Sequence, residues 1–184
     1  MENKERFLEL CKSIKRDGID DLLKWLESGD FYTAPASSRF HGSYAGGLLQ
    51  HSLNVYDELK RVLAAYPKIE CSDESAAICA LFHDFCKINF YSVEKRNRKN
   101  ADGQWESYDA YKIEEKYCFG GHGSKSVYLI QHFMKLTPVE AASINSHMGA
   151  FSDDNVGSVY EQFPLAWALH VADEAATYIT EGKN

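Results

Sequence analysis

The 184 residues predict an all-α bundle carrying one short β-hairpin. Three observations carry that expectation. Apolar residues recur at helical spacing along most of the chain. Glycine, proline and capping residues cut this pattern into helix-length pieces. One stretch, around residues 89–112, loses the helical period and becomes aromatic-rich about an Asp-Gly pair.

In order, Phe7, Leu10, Cys11 and Ile14 form a stripe that predicts a helix over 3–16, broken by Asp17-Gly18. Ile19, Leu22, Leu23 and Leu26 predict a second over 19–28, closed by Gly29. Residues 1–30 are read as a helical pair packed on the main body, so that 1–184 is one domain. After a loop rich in small residues, Gly46-Gly47 leads into a helix over 48–65 with Leu48, Leu49, Ser52, Val55 and Leu59 on its apolar face. Ser72 is a candidate N-cap, with Asp73 and Glu74 in the first turn of a helix running to about Ile88. Residues 89–118 form a hairpin flap with a basic arm, Glu94-Lys95-Arg96-Asn97-Arg98-Lys99. A helix over 124–136 follows, with His122 at its approach and His132 on its polar side. Thr137-Pro138-Val139-Glu140 is a capping box launching a helix over 138–148. Residues 150–158, with Asp153-Asp154, are expected to be loop. Pro164 starts the last helix, over 164–180.

Composition narrows the function classes. A hydrophobic fraction of 45% and a charged fraction of 26% are those of an ordinary globular domain. A net charge of −7 offers no global basic field, so a long nucleic acid is not an expected partner. No apolar run approaches the roughly 20 residues of a membrane span, and the charged start lacks a signal-peptide core. Five cysteines without a CxxC suit free, mostly buried thiols in a reduced, cytoplasmic protein.

The organising stretch is Leu81-Phe82-His83-Asp84-Phe85-Cys86-Lys87. On a helix, Ala80, His83, Asp84 and Lys87 share one face, so imidazole, carboxylate and ammonium point into one space. Other polar residues stand in apolar helical context or at helix ends: His51, His122, His147 and Asp173. Burying these unpaired is costly. Their convergence in a bundle core is how helical metal sites are built. Nitrogen and oxygen donors, without cysteine pairs, suit one or two divalent ions among Mn, Fe, Co, Ni and Zn. Lys87 is placed to meet a phosphate as a point charge. Arg39 and His41 are further candidates for ligand or phosphate contacts, as are Arg96 and Arg98 on the hairpin, with Tyr91 or Trp105 stacking a base. His170 is read as a packed core residue.

The order His51, His83-Asp84, Asp173, with the words Gly46-Gly47-Leu48-Leu49-Gln50-His51 and His83-Asp84-Phe85-Cys86-Lys87, resembles the HD superfamily of metal-dependent phosphohydrolases. The likeness spans about residues 35–180 and implies an HD-domain helical bundle. The lead-in Pro35 to Gly47 is similar to that of small bacterial and phage HD hydrolases, and to the HD domain of a bacterial 3′–5′ exoribonuclease family. The OB-fold domain of the latter is missing, as is the GYP element of cyclic-di-GMP phosphodiesterases. The resemblance implies one metal on His51, His83, Asp84 and Asp173, and a second on His122 and His147 with Asp84 bridging. It implies a metal-activated water cleaving a phosphate ester or phosphodiester of a nucleotide or short oligonucleotide, with Asp84 and Lys87 in catalytic roles. The alternatives are a non-catalytic nucleotide-binding HD module and a di-iron HD oxygenase. Both a monomer and a homodimer are compatible with the sequence.

Overall fold

The computed structural model describes residues 3–117, 119–151 and 155–182. Cys118, Asp153 and Asp154 therefore lie outside the described residues. The helices are α1 (Asn3–Cys11), α2 (Ile19–Ser28), α3 (Gly47–Ala65), α4 (Asp73–Phe82), α5 (His122–Ile130), α6 (Pro138–Asn145), α7 (Val156–Gln162) and α8 (Pro164–Ala175). The strands β1 (Tyr91–Lys99) and β2 (Trp105–Ile113) form the hairpin between α4 and α5. No described helix is long and apolar enough to cross a membrane.

The bundle is built on α3, which packs against α4 and α8; α6 packs against α4 and α8, and α5 against α6. The core between them contains Leu48, Leu53, Leu59, Ile78, Phe82, Ile130, Leu165 and Leu169, all nearly inaccessible to solvent. α1 packs on α3 and α4 through Phe7 and Cys11. Local signals act where they were expected. Ser72 Oγ accepts from the Ser75 amide at 3.0 Å. Thr137 and Glu140 form the complete capping box, with Pro138 at the first helical position.

Two glycines allow the close approaches that the site depends on. A Cβ on Gly47 would stand 1.9 Å from the Gly42 carbonyl oxygen, so only glycine lets residues 36–46 fold across the start of α3. A Cβ on Gly123 would stand 2.2 Å from the Asn145 carbonyl, so glycine lets the start of α5 meet the end of α6.

Several boundaries differ from expectation. The helix expected over 3–16 stops at Cys11, because Arg16 turns inward to Glu74 and Glu140. The helix expected to reach Ile88 ends at Phe82. There His83 Nδ1 lies 2.9 Å from the Ala80 carbonyl, and the chain tightens into a 3₁₀ turn over Phe85–Lys87. The fifth and sixth helices end at Ile130 and Asn145, short of 136 and 148, and α5 begins at His122. α8 passes into a π turn over Ala176–Thr180. α7 was not expected: part of it falls in the segment read as loop, and it buries no residue to leave a periodic stripe.

In the hairpin, β1 and β2 pair antiparallel from Tyr91↔Ile113 to Lys99↔Trp105. The basic run lies inside β1 and not at the tip. The tip is turned by Asn100, whose Oδ1 accepts from the amides of Asp102 and Gln104.

Candidate metal centre

Four helices deliver the donors. His51 stands in the second turn of α3, His83 and Asp84 follow the last turn of α4, His147 follows α6, and Asp173 lies on α8. His51 Nε2 is 3.1 Å from Asp173 Oδ1, 3.3 Å from His83 Nε2 and 3.7 Å from Asp84 Oδ2. His83 Nε2 is 3.4 Å from Asp84 Oδ2 and 3.9 Å from Asp173 Oδ1. His147 Nε2 is 3.6 Å from Asp84 Oδ1. Donor atoms of His51, His83 and Asp84 lie within 4.8 Å of one another, as do those of His83, His147 and Asp173.

Each ring is held by its other nitrogen. His83 Nδ1 is 2.9 Å from the Ala80 carbonyl, His147 Nδ1 is 2.7 Å from the Ile144 carbonyl, and His51 Nδ1 is 3.0 Å from Glu181 Oε1. Nδ1 donates in each case, which turns the Nε2 atoms towards the carboxylates, placed to serve as metal donors once unprotonated. His147 Nε2 and Asp84 Oδ1 are buried with no hydrogen-bond partner. A buried carboxylate oxygen and a buried imidazole nitrogen, facing each other at 3.6 Å with neither hydrogen-bonded, carry a penalty that a cation between them removes. The donor set therefore fits a divalent metal.

The electrostatics follow from this crowding. Burial opposes charge on His51, but Asp173 and Glu181 outweigh it and push its pKa up to about 9. Burial opposes charge on His147 too, and Asp84 raises it. Burial disfavours the Asp84 anion, yet Lys87 and His83 hold its carboxyl well below the ordinary range. Asp173 is likewise lowered against burial, by His51 and His83. Lys87 Nζ is 2.6 Å from Asp84 Oδ2, which keeps this buried ammonium charged against desolvation.

Beside the donors opens a cavity of about 960 Å³, lined among others by Asp84, Lys87, His122, His147 and Asp173. His122 is half-buried in its wall, with Nδ1 3.5 Å from Cys86 Sγ. It belongs to none of the tight donor groups found among the described residues. His41 also lines the cavity, its ring centroid 4.8 Å from that of His51, and burial lowers its pKa to about 4. Phe40, Tyr44, Phe151 and Tyr178 form an exposed aromatic rim.

Three expected contacts are not brought into the cavity. Arg96 pairs with Glu94, and Arg98 with Glu106, on the exposed hairpin. The Arg39 guanidinium lies over the Phe40 ring, outside the lining. Each has a nearer partner: Glu94 two residues back, Glu106 across the hairpin, and the adjacent Phe40 ring. Tyr91 does line the cavity, whereas Trp105 is 71% exposed at the far end of the hairpin. His170 packs against the end of α6, with Nδ1 2.7 Å from the His147 carbonyl, and His132 is exposed. Glu181 and Asn54 were missed. Asn54 is one turn after His51 on α3, a detectable spacing, but Glu181 stands in a short polar tail with no periodic signal.

The family model for the HD domain matches residues 48–176, well over half of the chain. The protein belongs to the HD domain family. This HD domain is helical, as its family resemblance implied, and its buried histidines and aspartates supply a cluster able to hold a divalent metal. It is 26% identical over 152 residues to a protein of Methanocaldococcus jannaschii named dihydroneopterin 2′,3′-cyclic phosphate phosphodiesterase. The match covers 80% of this chain and 53% of that protein, so the chain spans about half the length of its relative. No solved structure matches.

Proposed function

We propose that this HD domain is a metal-dependent phosphohydrolase that cleaves a phosphodiester of a nucleotide or similarly small compound bearing a flat ring. The observation that carries the reading is the unpaired couple Asp84 Oδ1 and His147 Nε2, 3.6 Å apart, beneath a cavity that also contains the Lys87 ammonium. HD membership supports it, and so does the cyclic phosphate phosphodiesterase named among its relatives.

One divalent ion would be held by His51, His83, Asp84 and Asp173, and a second by His122 and His147 with Asp84 shared. When bound, such ions supply Lewis acidity towards phosphoryl oxygens and an acidified water as nucleophile. The chain's own groups do the rest. Carbonyls and a carboxylate fix the three imidazole tautomers, so the donor atoms need no rearrangement. Lys87 keeps Asp84 anionic and places a positive charge where a phosphate enters. Phe90 and Tyr91 line the inner wall and the aromatic rim lines the mouth, surfaces on which a base or comparable ring stacks. The net charge of −7 selects against long polyanions and in favour of a compact substrate.

The test is turnover by protein loaded separately with Mn²⁺, Fe²⁺, Co²⁺, Ni²⁺ or Zn²⁺. The panel is nucleoside 2′,3′- and 3′,5′-cyclic phosphates, short oligonucleotides and bis(p-nitrophenyl) phosphate. Hydrolysis of at least one diester that chelator abolishes and metal restores is expected. Absence of turnover by fully loaded protein would sink the proposal.

A further inference from the structure

His51 differs from the other two histidines of the cluster in what holds it. His83 and His147 donate to neutral backbone carbonyls three residues upstream, within their own chain turns. His51 donates to a carboxylate 130 residues away, Glu181 Oε1, at 3.0 Å. The same oxygen accepts from Asn54 Nδ2 at 2.8 Å. The Glu181 side chain is only 8% exposed, and its carboxyl is held below the ordinary range against the pull of burial, mainly by His51. Glu181 lies beyond the matched span 48–176 and is not part of the H…HD…D pattern.

The backbone explains how it arrives there. Two α-turns beyond Asp173, at about 3.6 residues each, the face of Asp173 would come round near Thr180. The π turn over Ala176–Thr180 takes up one more residue, closing with the Glu181 amide on the Ala176 carbonyl at 2.8 Å. Glu181 is thereby returned towards the face that carries Asp173. Thr180 Oγ1 fastens the same turn to Glu58 of α3 at 2.7 Å.

We propose that Glu181 is a positioning residue for the metal centre. It fixes the His51 tautomer and makes this imidazole a stronger donor than its neighbours, because its N–H faces an anion rather than a carbonyl. The π turn is the device that presents it. This inference rests on the metal-dependent reading above but concerns binding of the ion, not turnover.

The experiment measures Co²⁺ affinity of metal-free protein by competition with a chelating dye, together with the Co²⁺ absorption spectrum and the metal-free melting temperature. Glu181→Gln keeps an oxygen for His51 and Asn54 but removes the charge. It should weaken Co²⁺ about tenfold, and Glu181→Ala up to about a hundredfold, with altered absorption in both. Ser75→Ala removes a hydrogen bond to Glu140 at the opposite end of α4, touching neither the π turn nor His51, and should bind Co²⁺ within about twofold of wild type. Wild-type affinity in Glu181→Ala, or a loss in Ser75→Ala equal to that in Glu181→Gln, overturns the positioning role. Either result leaves the hydrolase reading standing if wild type still cleaves diesters. Wild-type protein that binds no Co²⁺ overturns both.

Discussion

Buried ionisable groups stand at both ends of the α4–α6 pair, Glu140 at the N-terminal side and His83, Asp84 and His147 at the C-terminal side, and the two ends behave differently. At the N-terminal ends, Glu140 has no exposed surface yet every lone pair in use. Its Oε2 accepts from Arg16 Nη1 at 2.5 Å and the Thr137 amide at 2.8 Å, and its Oε1 from Ser75 Oγ at 2.9 Å and Arg16 Nη2 at 3.1 Å. At the C-terminal ends, Asp84 and His147 are also buried, but Asp84 Oδ1 and His147 Nε2 face each other at 3.6 Å and neither has a hydrogen-bond partner. Both clusters bear the cost of desolvation. One is internally complete and ties the α1–α2 connection to α4 and α6; the other is complete only with a ligand. Burial and charge alone therefore do not mark a site; unmet hydrogen-bonding capacity does.

Exchanging the consequences of mutation between the two clusters would break this contrast. The largest effect is expected from Asp84→Asn, which should abolish tight metal binding and lower diester turnover by at least about a thousandfold. Metal analysis and steady-state kinetics read it, and near-normal metal content would refute the ligand role. Glu140→Ala should do the converse. It leaves Arg16 without its main partner and costs about 3–5 kcal/mol of stability in a denaturant titration, with metal stoichiometry retained. The double change Arg16→Met with Glu140→Leu should regain most of that loss.

Lys87→Met probes the boundary between the two behaviours, since Lys87 has a partner in Asp84 and also faces the cavity. Turnover should fall about a hundredfold with metal retained. Loss of the metal instead would make Lys87 a scaffold residue.

The pH dependence of stability gives a smaller effect. The Glu140 carboxyl is lowered from its ordinary 4.5, because Arg16, Thr137 and Ser75 outweigh its burial. A carboxylate with a depressed folded pKa stabilises fully above its unfolded value and loses that contribution as pH falls through the folded one. Melting temperature should thus fall below about pH 4.5 in wild type, and less steeply in Glu140→Gln. Least of all, Arg96→Ala and Arg98→Ala should each change stability by under about 0.5 kcal/mol, because their partners are exposed. A rise in KM in either variant would restore the hairpin as a phosphate contact.

Much was legible in the chain before folding. Local rules act within a few residues, so Ser72, the Thr137–Glu140 capping box and the paired glycines before α3 announce their elements by type and spacing. The His51, His83-Asp84 and Asp173 signature is legible for a related reason: a polar residue in an apolar helical stripe is costly and stands out. Tertiary structure decided what depends on partners distant in sequence. Arg16 ends α1 early because Glu140, far along the chain, offers a buried partner. Arg98 faces Glu106 across the hairpin and not the cavity. Glu181 reaches His51 only because a π turn adds one residue to the last helix, and no pattern in the tail foretells that turn. Residue type and periodicity report what a side chain needs, whereas the packed fold alone determines which distant group meets that need.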